Sequence, residues 1–489
     1  MKNGTLILLI ILSTFLSQAQ QEEERYIPET DSLVIQKLTA WQGLKFGLLM
    51  HWGPYSQWGI VESWSICPED YGWCERKKGT HFDHYYSYVK SYENLLTTFN
   101  PKEFDPERWA GAAQKAGMKY VIFTTKHHDG FCMFDTKYTD YKITGSECPF
   151  SANPRANVTR EIFTAFREKG LWTGAYFSKP DWHHPAYWWP YFPPFDRNVN
   201  YDPALYPEKW EEFVQFTHNQ IMELMTGYGK IDILWLDGGW VAPQPQEEID
   251  KKYNALQKET PTGFIKKRVV SQDIRMDELV SKARKKQPGL LVVDRAVYGK
   301  NQNYLTPENR VPETTLPYPW ESCIIAGGGW SYAFNAAYMT SREVIHLLIA
   351  IVAKGGNLLL NIAPSPAGTW DEEAYKMLEG VGEWMQVNNQ CVYNTFPLEP
   401  FKEKNICLTQ NKDNVFLICL LQEGESLPGE LNLSAFLPAQ EAKISMPGFD
   451  TRIQWKIKEK KLHIYIPEGI QKISRNQPAM VFQITKLRP

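Results

Sequence analysis

The sequence predicts an α/β fold: a (β/α)8-like TIM barrel followed by a C-terminal all-β sandwich. Three observations carry that prediction. Short apolar runs alternate with helical patterns through about residue 395. Polar and titratable residues gather at the C-terminal ends of those runs, where a barrel builds its active site. Beyond residue 395 the helical period stops, and short strand-like segments with Gly, Pro and Asn turns take over.

The elements follow in order. The opening stretch, MKNGTLILLIILSTFLSQA, joins Lys2 to an apolar core at 6–16 and a small-x-small site at Ser17-Gln18-Ala19. It is a signal peptide over residues 1–19, and it implies a secreted or periplasmic protein. The apolar core is too short to span a bilayer, and no later stretch is apolar enough, so no membrane span is expected. The barrel is expected over 20–395. Its strand candidates are FGLLMHW (46–52), YVIFTT (120–125), LWTGAYF (171–177), IDILWLD (231–237), LLVVD (290–294) and NLLLNI (357–362). Continuous apolar runs of this kind suit strands covered on both faces. Helical patterns at 105–118, 159–170, 208–229, 273–289 and 341–356 precede the later runs. An open doubly wound sheet has the same alternation, but no GxGxxG follows the first strand. PDWHHPAYWWPYFPPF (180–195) is a loop, and the charged segment 242–272 is an insertion, part helical. VFLICLLQ, IQWKIKEKKLHIYI and AMVFQITKL then supply strands for a sandwich over 396–489.

Composition narrows the function. The 489 residues carry a formal net charge of -3 with no basic stripe, so nucleic acid is not an expected partner. Aromatic residues make up 14%, with 18 Trp, enough to line a sugar site as well as a core. Eight cysteines include no CxxC pair, so no structural zinc is expected; Cys67 and Cys74 are close enough in sequence to pair.

The titratable candidates sit at strand ends. Trp235 and Asp237 share one face of IDILWLDGGW, so a carboxylate ends an apolar strand beside an indole. KHHDGF places His127 and His128 after YVIFTT, and LLMHWG adds His51. Adjacent residues of an extended chain point apart, which argues against one metal bound by both histidines. Imidazoles can instead exchange hydrogen bonds with sugar hydroxyls. Glycoside hydrolysis needs a second carboxyl, and the sequence offers Glu308 in LTPENR and Glu321 in PWESC.

Together KFGLLMHWGPYSQWG, YVIFTTKHHDGF, ILWLDG, PWESC followed by GGGWSY, and GGNLLLNIAP resemble the α-L-fucosidases of glycoside hydrolase family 29, over about residues 40–395. The resemblance implies an exo-acting retaining hydrolase without a cofactor, whose partner is a fucosylated glycan or oligosaccharide. It implies Asp237 as nucleophile, with His51, His127, His128, Tyr176, Trp235, Arg295 and Trp330 around the sugar. Its acid/base position points to Glu308, with Glu321 as the alternative. The family's Glu-Trp pair after HWG is split here by Ser63, leaving Glu62 and Trp64 as the sugar contacts. Competing readings are a related exo-glycosidase on a fucose-like sugar, an inactive carbohydrate-binding homologue, and a metal-dependent hydrolase centred on the histidines.

Overall fold

Apolar runs bounded by helices pair in parallel because each crossover returns the chain to the same edge direction. The computed structural model, which describes residues 26–260 and 268–485, shows this arrangement. Strands β1 (Phe46–Met50), β2 (Tyr120–Lys126), β3 (Trp172–Ser178), β4 (Ile233–Asp237), β5 (Leu291–Asp294), β6 (Glu321–Ile325) and β7 (Asn357–Asn361) form one parallel sheet. Their order is β5-β4-β3-β2-β1-β7-β6. The expected leader at 1–19 lies outside the described residues.

The sheet curls, but it is a seven-stranded partial barrel and not the eight-stranded one expected. The eighth position is taken by the irregular segment 301–309. It bridges Val293 through Gln302, Trp320 through Leu305 and Cys323 through Glu308. Pro307 stands in this stretch and Pro312, Pro317 and Pro319 follow it, and a proline has no N–H to give a ladder. The gap matters for function because Glu308 sits on this segment.

Inside the curl, alternate residues meet as the two-residue strand period requires. Leu49, Ile122, Tyr176, Ile233, Trp235, Leu291, Val293, Cys323 and Leu359 form one buried cluster. The helix Ser32–Leu44 closes the N-terminal end of the barrel. It is capped by Asp31, which accepts from Leu33 N at 2.8 Å, and its Trp41 stacks on Tyr304 with centroids 3.9 Å apart. The outer helices match the sequence pattern closely. They run Pro106–Lys115, Val158–Glu168, Pro207–Gly227, Met276–Lys286 and Ser341–Val352, the last opened by a Thr340/Glu343 capping box. The insertion carries the expected helix, Gln246–Glu259.

From Phe396 onward the chain forms two antiparallel sheets. One contains β8 (Phe396–Glu403), β9 (Ile406–Gln410), β10 (Asn414–Leu420), β12 (Ile444–Ser445) and β15 (Ala479–Thr485). The other contains β11 (Glu430–Leu433), β13 (Gln454–Lys458) and β14 (Lys461–Tyr465). Leu417 and Phe482 of the first share a core with Leu431 and Leu462 of the second. The opposite face, through Phe416, Ile418 and Val481, joins the barrel's core instead. That explains why VFLICLL is apolar without alternation: β10 is covered on both faces. A short helix, Glu468–Ser474, interrupts these strands where none was expected. Cys67 and Cys74 do not form the disulfide that their spacing allows; all eight cysteines are thiols.

Candidate active site

Continuing each inward-facing strand by two residues leads to the mouth of the barrel. Leu49 leads to His51, Trp235 to Asp237, Val293 to Arg295 and Leu359 to Asn361. These side chains, with others from the loops, surround a cleft of about 450 Å³, within the usual size of a small-ligand site. The cleft is lined by His51, Glu62, Trp64, His127, Tyr176, Trp235, Asp237, Arg295, Glu308 and Trp330, and also by Trp73, Arg197 and Trp240. A larger groove of about 620 Å³ lies where the helices meet the antiparallel sheets, and it contains none of these groups.

Asp237 is densely solvated by the protein. Tyr176 Oη donates to its Oδ2 at 2.7 Å, Gly238 N to its Oδ1 at 2.8 Å, and Arg295 Nη1 lies 3.2 Å from Oδ1. Burial would raise its pKa, but Arg295, His128 and these donors hold the carboxyl far below the ordinary range. It is therefore a carboxylate at any working pH. The other end of the same guanidinium bonds Glu308 Oε2 through Nη2, and Trp330 Nε1 donates to Glu308 Oε1 at 3.1 Å. One guanidinium thus spans Asp237 and Glu308. That keeps the pair well under the ~10 Å beyond which two carboxyls cannot share a glycosidic bond.

Glu321 is elsewhere. It begins β6 and so lies at the N-terminal end of the barrel, fully buried, outside the cleft. Tyr120 Oη donates to its Oε2 at 2.5 Å and Trp235 Nε1 approaches Oε1 at 3.4 Å. Burial pushes its pKa up to about 8 despite those hydrogen bonds. It supports the indole that floors the cleft and does not face the cleft itself.

The three histidines are neutral, each pushed down first by burial. Asn361 Nδ2 donates to Trp330 O at 2.8 Å, which leaves its Oδ1 to accept from His51 Nδ1 at 3.0 Å. That fixes His51 Nε2 as a free acceptor toward the cleft. His127 bonds Ser63 through Nδ1 and lies parallel to Tyr176, with planes 10° apart. His128 is set behind the cleft lining, within 5.1–5.2 Å of the rings of Trp64, Trp182 and Trp240, and burial pushes its pKa down to about 3. Neither of its ring nitrogens has a hydrogen-bond partner among the described residues, although Nε2 is 3.9 Å from Asp237 Oδ2. The rest of KHHDGF is scaffolding. Asp129 accepts from Tyr92 Oη at 2.7 Å, and Gly130, at φ 80°, packs where a Cβ would strike the Asp181 carboxylate at 2.2 Å.

Glu62 is 1% exposed, in a left-handed conformation at φ 32°, with Oε1 unpartnered among the described residues. Burial, then repulsion from Glu308 and Asp237, raises its pKa to about 8. A neutral carboxyl in that setting is a hydrogen-bond donor awaiting an acceptor. The insertion of Ser63 does not remove Glu62 from the cleft: Glu62 N approaches Ser331 Oγ at 3.4 Å, next to Trp330. Trp64 remains too, edge-on to His128.

His127, His128 and Asp237 present ligating atoms within 4.8 Å of one another. The donor set fits a divalent cation poorly: Arg295 already neutralises Asp237, and His128 is walled by indoles. Asn361, Arg197, Trp240 and Trp73 are the cleft or cleft-supporting residues that sequence reasoning missed. Only Asn361 carried a signal, as a polar residue ending an apolar strand.

The chain is similar to known proteins along most of its length. The family model described as alpha-L-fucosidase matches residues 13–390. The chain is similar to human tissue alpha-L-fucosidase, 28% identical with 94% of this chain and 93% of that one covered. It is also similar to the solved alpha-L-fucosidase isoenzyme 1 of Paenibacillus thiaminolyticus, with 26% identity, TM-score 0.72, and 94% and 100% of the two chains covered. A Bacteroides thetaiotaomicron alpha-L-fucosidase, 21% identical, shares the fold with TM-score 0.69 over 95% of this chain and 98% of its own, and was trapped as a covalent intermediate.

Proposed function

The chain belongs to the alpha-L-fucosidase family, and from that premise we propose that it hydrolyses terminal α-L-fucosyl linkages of fucosylated glycans by double displacement. The observation that carries the mechanism is the Asp237–Arg295–Glu308 bridge across a sugar-sized cleft. Asp237, ionised, attacks the anomeric carbon. Glu308, protonated, gives its proton to the departing glycosidic oxygen, which leaves as the aglycone hydroxyl. The sugar is then an ester of Asp237. Glu308, now a carboxylate, takes a proton from water as its oxygen attacks the same carbon, and fucose is released with Asp237 free.

The surrounding groups are matched to a neutral polyol. His51 accepts, Glu62 donates, and the neutral His127 can do either. Tyr176, Trp235 and Trp330 supply apolar walls. Asp237 starts ionised, so no proton has to leave it before attack, and its fixed donors can release it as charge moves onto the sugar. The leader expected at 1–19 makes this an exported enzyme.

The test is release of fucose from α-L-fucosyl fluoride and from fucosylated oligosaccharides by the purified protein, with the first-formed anomer read by NMR. Retention of the α-configuration is expected. Inversion, or no turnover by the wild type on any fucoside, overturns the proposal.

A further inference from the structure

The cleft has a second wall that the fucose site leaves unused. Trp73 lines the cleft yet is 46% exposed. Its ring lies on that of Tyr71, with centroids 4.6 Å apart and planes 3° from parallel. Arg197 stands behind this pair, its guanidinium carbon 5.5 Å from the Tyr71 centroid, 4.7 Å from that of Trp64 and 5.1 Å from that of Trp240. The guanidinium cannot drift, because Glu69 holds it through both Nε, at 2.9 Å, and Nη2. Buried Cys67 and Cys74 anchor the two ends of the turn that carries Trp73. Flat rings and one fixed cation therefore run without a break from Trp64, beside His128, out to the mouth.

The half-exposed indole leaves a flat apolar face open beside the cleft, and its coplanar partner Tyr71 holds that face in one orientation. Trp73 lines the same cleft as Asp237 and Glu308, so it borders space open to a leaving group. A pyranose ring presents C–H bonds on one side, and an aromatic plate of this kind fits that side. Deepening the fucosidase reading, and resting on it, we propose that Trp73, backed by Tyr71 and fixed through Arg197 and Glu69, is the subsite for the sugar to which the fucose is attached. The preferred substrate is then a fucosylated oligosaccharide, whose penultimate pyranose stacks on Trp73.

The experiment compares kcat/KM on α-L-fucosyl fluoride, whose leaving group is one atom, with kcat/KM on the best-cleaved member of a panel of oligosaccharides covering the natural α-fucosyl linkages. Full-length wild type, Trp73→Ala and Trp73→Phe are measured side by side. Trp73→Ala is expected to lower the oligosaccharide-to-fluoride ratio by about tenfold or more, the size of a lost stacking contact. Trp73→Phe, which keeps a ring, recovers most of that loss. A ratio unchanged in Trp73→Ala overturns the subsite. So does a wild type that hydrolyses the fluoride and none of the oligosaccharides, a result that leaves the fucosidase reading standing. Failure on both classes removes the fucosidase reading itself and the subsite with it.

Discussion

At the C-terminal end of β4, Asp237 takes hydrogen bonds from Tyr176 and Gly238 and an ion pair from Arg295. At the N-terminal end of β6, Glu321 takes bonds from Tyr120 and Trp235 and has no ion-pair partner among the described residues. Both are carboxyls of the barrel interior in an aromatic setting. One is held ionised and the other is pushed up to about 8. The difference lies in position along the strand. Loops converge at the upper end and bring Arg295, so burial there is outweighed. At the lower end the helix Ser32–Leu44 seals the barrel, and burial wins. The lesson is that a buried carboxyl stays ionised, as the proposed nucleophile must be, where the fold also supplies a cation.

The sharpest way to break that comparison is to neutralise each carboxyl in turn. Asp237→Asn should remove turnover, by about 10⁴-fold or more in kcat, because the attacking oxygen pair is gone while the shape is kept. Glu321→Gln should leave kcat within a few-fold. Comparable losses in the two variants would mean that the lower carboxyl takes part in the chemistry, and the contrast would collapse.

The second carboxyl of the mouth gives the next largest effect. Glu308→Ala should lower kcat/KM by about 10²–10³-fold on an oligosaccharide, whose leaving oxygen needs a proton. On α-L-fucosyl fluoride the loss in the first step should be far smaller, since fluoride leaves without one. Equal losses on the two substrates would remove Glu308 from the acid role.

How much of this was legible follows from the same strand geometry. His51, Asp237 and Arg295 were legible because each is a polar residue that ends or follows an apolar strand, and the period of two fixes which way it points. Glu321 misled because PWESC shows a carboxyl beside apolar residues without saying which end of the strand it occupies. The run SCII follows Glu321 and does not precede it, which is the sign of a strand's beginning. The eighth strand was illegible because 301–309 is a polar stretch interrupted by Pro307 that makes only isolated bridges. Arg197, Trp240 and Trp73 come from loops, and loops meet only through the tertiary fold. The αβ alternation, by contrast, was plain, since buried parallel strands and amphipathic helices write different periods into the chain.

Glu62 sharpens the comparison from a third direction. It is a mouth residue with no ion-pair partner among the described residues, and like Glu321 its pKa is raised by burial to about 8. As pH passes that value it ionises, loses its donor proton, and adds a negative charge beside the carboxylate of Asp237. The wild type should therefore lose kcat/KM on the alkaline side through about pH 8. The histidines do not produce this limb, because their pKa values are lowered. Glu62→Gln keeps a neutral donor, and its activity should stay level through that range after an overall loss of about tenfold or less. Identical alkaline limbs in both proteins would take the proton away from Glu62.

The smallest effect is read in stability. The Glu321 carboxyl has a native pKa of about 8, while in an unfolded chain it titrates near the ordinary value of ~4.3. Below both values the proton is bound in both states and contributes nothing to the difference. Between them the unfolded chain has shed its proton and the native protein has kept it, so the native state is the more protonated and stability falls as pH rises. Above the native value both forms are ionised and the loss levels off. Glu321→Gln has no proton to shed. Its Tm relative to the wild type should therefore climb from about pH 4.5 to about pH 8 and then flatten. A difference that is flat across that window would show that the lower carboxyl is ionised in the folded barrel. In that case burial would not have won at the closed end, and position along the strand would not be what separates Glu321 from Asp237.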